Sequence, residues 1–254
     1  MTIPRIYLPR TLETGALCKV TADQARYLNT VLRMKQGDPF RIFNGTGWEY
    51  RALIRRQTAE GIELEITDRY ALPAAEIHIT LCQAVPKAEK MDGIIRHATE
   101  LGVERIIPFF AERSVPHWEP ERLPRKRERW QKIAVEASRQ CGRSDIPEIV
   151  EIVTFERMLR AVPESGLRLI PWEEETTTGI STVLRDPAWS GMKAFILVIG
   201  PEGGFSAEEI ELARRAGFLS VSLGKRVLRV ETASLALLAI LQYEIGARET
   251  ESMG

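Results

Sequence analysis

Apolar positions change their spacing about a third of the way along the chain. In residues 1–72 they recur at strand period, in Arg41-Ile42-Phe43, Glu49 to Ile54 and Ile62-Glu63-Leu64-Glu65-Ile66. Asn44-Gly45-Thr46-Gly47 separates the first two, and Asn-Gly favours the positive φ of a hairpin turn. One helix is expected among these strands. Thr21 stands as its N-cap, Ala25, Leu28, Val31 and Leu32 follow at helical spacing, and Gly37 stops it. The prediction is a small β-barrel-like module over residues 1–72.

Past a boundary at Ala71-Leu72-Pro73-Ala74-Ala75 the pattern becomes α/β, giving a second domain over residues 73–254. Strands are expected at Ile77 to Ala84, Arg105 to Pro108, Leu167 to Ile170, Phe195 to Ile199 and Val221 to Leu223. Helices are expected at Pro86 to Leu101, Arg122 to Cys141, Ser206 to Ala216 and Thr232 to Ala247. Five strands alternating with helices predict a mostly parallel, helix-covered sheet. The end, Glu249 to Gly254, is expected to fray.

Two turns in the last quarter stand out. Phe195 to Ile199 runs into Gly200-Pro201-Glu202-Gly203-Gly204-Phe205, and Ser206 with Glu209 has capping-box spacing. One β-α-β length later, Val221-Ser222-Leu223 meets Gly224-Lys225-Arg226, and the chain continues through Arg229 and Glu231 into an apolar helix. Loops at strand C-termini are where open α/β sheets bind ligands. Neither loop has the GxGxxG of a dinucleotide fold or the GK[ST] of a phosphate loop. Adjacent glycines still allow a ligand close to the backbone.

Composition narrows the class. With 44% apolar and 28% charged residues the chain reads as an ordinary folded protein. It shows no apolar signal region and no run long enough to span a bilayer, so a cytoplasmic location is expected. Three scattered cysteines and three isolated histidines imply neither a disulfide framework nor a metal site. The net charge of +0 hides a basic stretch between Arg113 and Arg143, a face that fits an anionic partner such as RNA or serves as a solvated helix.

Gly200-Pro201-Glu202-Gly203-Gly204-Phe205, together with Leu223-Gly224-x-Arg226-x-Leu228-Arg229-x-Glu231-Thr232-Ala233, resembles the knotted SPOUT methyltransferases. More narrowly it resembles the RsmE family, which methylates N3 of a uridine in 16S ribosomal RNA. The similarity continues through Ala98-Thr99-Glu100-Leu101-Gly102-Val103, Pro108, Arg113-Ser114, Arg129-Trp130 and Glu136-x-x-x-Gln140-x-x-Arg143-x-x-x-Pro147, and into Val31-Leu32-Arg33 and Gly37-Asp38. The resemblance implies a trefoil-knotted α/β domain that uses S-adenosylmethionine, a PUA-like RNA-binding module before it, and a homodimer acting on 16S rRNA or the 30S subunit without metal.

It also implies three cofactor loops: Pro171-Trp172-Glu173; Gly200 to Gly204, entered from Ile199; and Leu223 to Arg229. Backbone groups of Leu223, Val227 and Leu228 would hold the adenine, with Gly224 at the turn. Uridine N3 loses its proton roughly two units above neutrality, so exposing the anion costs about 2.7 kcal/mol. A guanidinium beside the ring would offset that, and Arg229 is the candidate, joined by Arg113 or Arg143 from a partner copy. Glu202 or Glu231 would serve as general base, or each would anchor its loop by accepting backbone N–H bonds. For RNA phosphates the candidates are Arg10, Arg26, Arg33, Arg113, Arg139 and Arg143.

Overall fold

The computed structural model describes residues 3–58, 61–71, 77–116, 118–189 and 191–252, the side chains of 246–252 excepted. The chain forms two compact units, Met1–Ala74 with Ser138–Ile146, and Ala75–Ala137 with Pro147–Gly254. Most of the boundary expected at Ala71 to Ala75, and the very end of the tail expected to fray, lie outside the described residues.

The first unit holds β1 (Arg5–Tyr7), β2 (Leu17–Lys19), α1 (Ala22–Arg26), β3 (Pro39–Phe43), β4 (Trp48–Thr58) and β5 (Gly61–Ala71). They form one sheet in the order β1-β3-β4-β5-β2, antiparallel except where β1 runs beside β3. Alternation works as expected: Phe40, Ile42, Ile54, Ile62, Leu64 and Ile66 are buried on one face with Leu28 of the helical segment. That segment starts on a capping box, Thr21 with Gln24, but does not continue as an α-helix. Tyr27–Val31 widens into a π turn closed by Leu32 N–H on Tyr27 C=O. One extra residue per turn rotates the next side chain, so Val31, expected in the core, is 65% exposed.

Ser138–Ile146 falls in this first unit, whereas the sequence pattern assigned it to the second domain. Arg5 is the physical reason. Its guanidinium donates to the carbonyls of Ser138 (2.8 Å) and Arg143 (2.5 Å), to Ser144 Oγ (3.0 Å) and to Glu49 (2.7 Å). Those contacts join residues far apart in sequence, and no local pattern announces them.

The second unit begins with β6 (His78–Ala84), α2 (Lys90–Glu100), β7 (Arg105–Phe110) and α3 (Leu123–Cys141), whose last turn counts with the first unit. Then come β8 (Glu148–Ile149), β9 (Val153–Thr154), α4 (Phe155–Ala161), β10 (Leu167–Pro171), α5 (Ile180–Leu184), β11 (Ala194–Ile199), α6 (Ala207–Arg215), β12 (Leu219–Val221) and α7 (Val230–Ser252). The sheet runs β12-β10-β11-β6-β7-β8 with β9 also on β7, and every pairing in it is parallel. The two additional strands are two residues each, too short to show alternation. α2 starts later than expected because Ala88 sits at φ +55, outside helical space. Buried Ile79, Leu81, Phe195, Leu197 and Val198 explain the nearly continuous apolar runs, since helices cover both faces. Among the described residues no helix is long and apolar enough to cross a membrane.

Candidate active site

The neighbouring strands β12, β10 and β11 end side by side, and the loops leaving them line one open cleft. Pro171 ends β10 and Trp172 and Glu173 follow it, while Ile199 ends β11 and Gly200, Pro201 and Gly204 follow it. Leu223, Gly224, Val227 and Leu228 come from the loop after β12. The fold thus brings together eleven of the fourteen residues expected to hold the cofactor. Gly203, Glu202 and Arg229 belong to the same loops but stand outside the lining. Phe205, Ser222, Lys225, Arg226, Val230 and Ala233 join it. Phe205 is legible in hindsight as the apolar residue that closes the glycine run.

The glycines are required by their neighbours. A Cβ on Gly200 would lie 2.9 Å from the Phe205 ring, and Phe205 is fixed in the core. On Gly203 it would meet Arg113 Cβ at 3.0 Å and the Arg113 carbonyl at 3.3 Å. Gly204 has φ +70, closes a turn onto Pro201 C=O at 3.0 Å, and leaves room for the Glu173 carboxylate. Beyond the loop, Ser206 and Glu209 complete a reciprocal capping box (3.3 and 3.0 Å), and Glu209 also accepts the Glu112 N–H at 2.9 Å.

The loop after β10 is fastened to the end of β12. Trp172 N–H donates to Val221 C=O, Ser222 N–H to Thr178 C=O, and Ile180 N–H to Ser222 C=O. Glu175 is the knot of hydrogen bonds that shapes it. Its carboxylate accepts from Ser220 Oγ (2.6 Å), Thr177 Oγ1 (2.6 Å) and the N–H groups of Thr177 and Thr178, and these bonds pull its pKa down to about 2. Trp172 Nε1 on the cleft wall has no hydrogen-bond partner among the described residues.

Glu202 and Glu231 converge on one cation. Lys90 Nζ is 2.9 Å from Glu202 Oε1 and 3.3 Å from Glu231 Oε2. Glu202 also accepts the Lys87 N–H at 3.1 Å. Burial alone would raise the Glu202 carboxyl, but the Lys90 bond and the backbone N–H bonds outweigh it and hold the group below the usual glutamate range. Arg229 stands between Leu228 and Val230 at the rim, exposed, with no ionic partner among the described residues. Its carbonyl accepts the Ala233 N–H at 2.8 Å and opens α7.

The six arginines expected on RNA have unlike surroundings. Arg26 and Arg33 are exposed and form no ion pair among the described residues. Arg10 donates to the Lys19 carbonyl, and Arg113 to the Gly203 carbonyl at 3.3 Å. Arg139 donates to Tyr27 Oη at 3.2 Å and lies over that ring. Arg143 is turned inward, its side chain 14% exposed and paired with Asp145. Lys90 and Glu175, both central to the loop geometry, had no local sequence signal.

A profile of the RNA methyltransferase domain matches residues 73–242, and one of the RNA methyltransferase PUA domain matches residues 20–67. A ribosomal RNA small subunit methyltransferase E of Buchnera aphidicola subsp. Acyrthosiphon pisum is 33% identical over 96% of this chain and 94% of its own. The structure of a ribosomal RNA small subunit methyltransferase E from Neisseria gonorrhoeae bound to S-adenosyl methionine superposes with TM-score 0.85. It is 31% identical and covers 95% of this chain and 98% of that one. A methyltransferase of Legionella pneumophila, solved with bound SAM, gives TM-score 0.84 at 34% identity over 96% and 98%. The chain belongs to the ribosomal RNA small subunit methyltransferase E family, an RNA methyltransferase domain preceded by a PUA-like domain.

Proposed function

We propose that the protein transfers a methyl group from S-adenosylmethionine to N3 of a uridine in 16S ribosomal RNA, in the cytoplasm and as a homodimer. Residues 1–72 serve as the PUA-like RNA-binding domain and residues 73–254 as the methyltransferase domain. The three-loop cleft carries this reading. It pairs an apolar wall of Ile199, Phe205, Leu223 and Leu228 with glycine backbone that a side chain would block, which suits a flat purine with a polar tail. In this reading the C-terminal chain is threaded into a trefoil knot.

S-adenosylmethionine supplies an already activated methyl group, so the protein's task is to orient the acceptor and exclude water. Arg229, unpaired at the rim, stabilises the negative charge that N3 deprotonation spreads onto the uracil carbonyls. Glu202 and Glu231 serve as loop anchors in this scheme, because Lys90 and the Lys87 N–H already occupy them. The N3 proton would be lost to bulk solvent as the uridine enters, before the site is closed to water, and the nitrogen held beside Arg229 would then accept the methyl group. Arg26 and Arg33, with Arg10 and Arg113, are the cations assigned to RNA phosphates.

Nucleoside mass spectrometry of small-subunit RNA from cells lacking the gene, before and after incubation with the protein and S-adenosylmethionine, tests the whole scheme. Restored 3-methyluridine is the expected result. A restored ribose 2′-O-methyl mark overturns the acceptor atom, and no change in any mark overturns the enzyme.

A further inference from the structure

Lys90 opens α2, on the far side of the fold's sequence order from the loops it touches. Its ammonium is shared by Glu202, in the loop after β11, and Glu231, in the first turn of α7. The other charges on its own turn are already engaged: Glu89 and Asp92 both accept from Arg129 of α3, at 3.2 and 2.5 Å. Among the described residues, Lys90 is the cation paired with both loop carboxylates. Without it, two carboxylates that each reach the same ammonium would lose their shared counter-charge, Glu202 keeping the Lys87 N–H. Glu231 lies two residues beyond Arg229, so the clamp also fixes where the chain carrying that guanidinium enters the helix.

We propose that Lys90 is a positioning residue for methyl transfer: it clamps the glycine loop to the first turn of α7 through Glu202 and Glu231, keeping the cleft walls and Arg229 in register. This rests on the reading of the cleft as the S-adenosylmethionine site. The Lys90 pKa is raised, chiefly by the Glu202 hydrogen bond, so the clamp stays charged throughout the physiological range.

The test uses the full chain. Calorimetry measures S-adenosylmethionine affinity, and steady-state methylation of small-subunit RNA separates KM from kcat. For K90M the dissociation constant and the KM for S-adenosylmethionine are expected to rise roughly tenfold, the size of one lost charge-assisted bond. K90R, which keeps the charge, is expected to stay within about threefold of wild type. The triple variant K90M/E202Q/E231Q is expected to recover part of the K90M loss, because no stranded carboxylate remains; a merely structural lysine would not show that recovery. Should K90M fail to fold, E231Q removes one arm of the clamp and is expected to raise the same two constants about threefold. If wild type binds and K90M binds equally well, or K90R is as impaired as K90M, the clamp is overturned. Failure of wild type to bind S-adenosylmethionine would instead overturn the reading of the cleft.

Discussion

Replacing Arg5 by alanine should unfold the N-terminal sheet well before it disturbs anything else. Arg5 is 10% exposed at its side chain, lies 4.1 Å over the Phe43 ring, and meets Glu49, itself 2% exposed, at 2.7 Å. Removing it leaves Arg41, at 3.8 Å, as the remaining ion-pair partner of Glu49 among the described residues. Stranding one member of a buried pair costs about 3–5 kcal/mol. The carbonyls of Ser138 and Arg143 lose a donor too, but water reaches a truncated site, so they add little. At about 4–8 °C per kcal/mol for a domain of this size, the unit should melt roughly 12–40 °C lower. Hydrogen exchange read at peptides from β3, β4 and β5 is the suitable assay, because it reports that sheet alone. Adding E49Q to R5A should recover about half of the loss, since the neutral amide carries no stranded charge. If R5A protects β3–β5 within about 1 kcal/mol of wild type, or E49Q recovers nothing, the buried charge is not what makes Arg5 matter.

Four further outcomes are expected. R229A should lower turnover about a hundredfold while S-adenosylmethionine affinity changes little; equal losses in both, measured by kinetics and calorimetry, would mark Arg229 as a loop anchor. G203A pushes a Cβ to 3.0 Å from Arg113 and should weaken cofactor binding with little change in melting temperature, which calorimetry beside thermal melts will show. A88G relieves a φ of +55 that costs an L-residue about 1–2 kcal/mol, and after the added unfolded-state entropy it should raise the urea midpoint by the equivalent of about 0.5 kcal/mol. Glu175 has a folded pKa of about 2, against a model-compound value of 4.5, so its ionised form stabilises the fold fully above that value. The contribution disappears as pH falls toward 2, and the stability gap between wild type and E175Q should close over that window in urea titrations.

What could be read in advance was local. Ser206 and Glu209 announce α6 because a capping box needs only four residues. Runs such as Phe195 to Ile199 announce buried strands, and the glycines after them announce loops at strand ends. What escaped was long-range or too short to have a period. Val31 looked like core until a π turn moved it, and β8 and β9 hold two residues each. Lys90 carried no sequence signal, since its partners lie more than a hundred residues away. The same holds for Arg5 and for the Glu112 N–H on Glu209. Arg143, which looked like a free surface cation in a basic run, is satisfied within its own turn by Asp145.

The last helix is fastened to the first strand and helix of its unit: Ser234 Oγ donates to Gln83 at 2.7 Å, and Gln242 to the Leu101 carbonyl at 2.8 Å. During synthesis the ribosome therefore releases β6 and α2 long before the segment that covers them, and Gln83, wholly buried in the finished fold, must wait without its partner. The three-loop cleft has its full lining only once Val230 and Ala233, at the start of α7, have emerged and packed. A chain stopped before α7 would lack Val230 and Ala233 of the cleft lining and leave the buried Gln83 without Ser234.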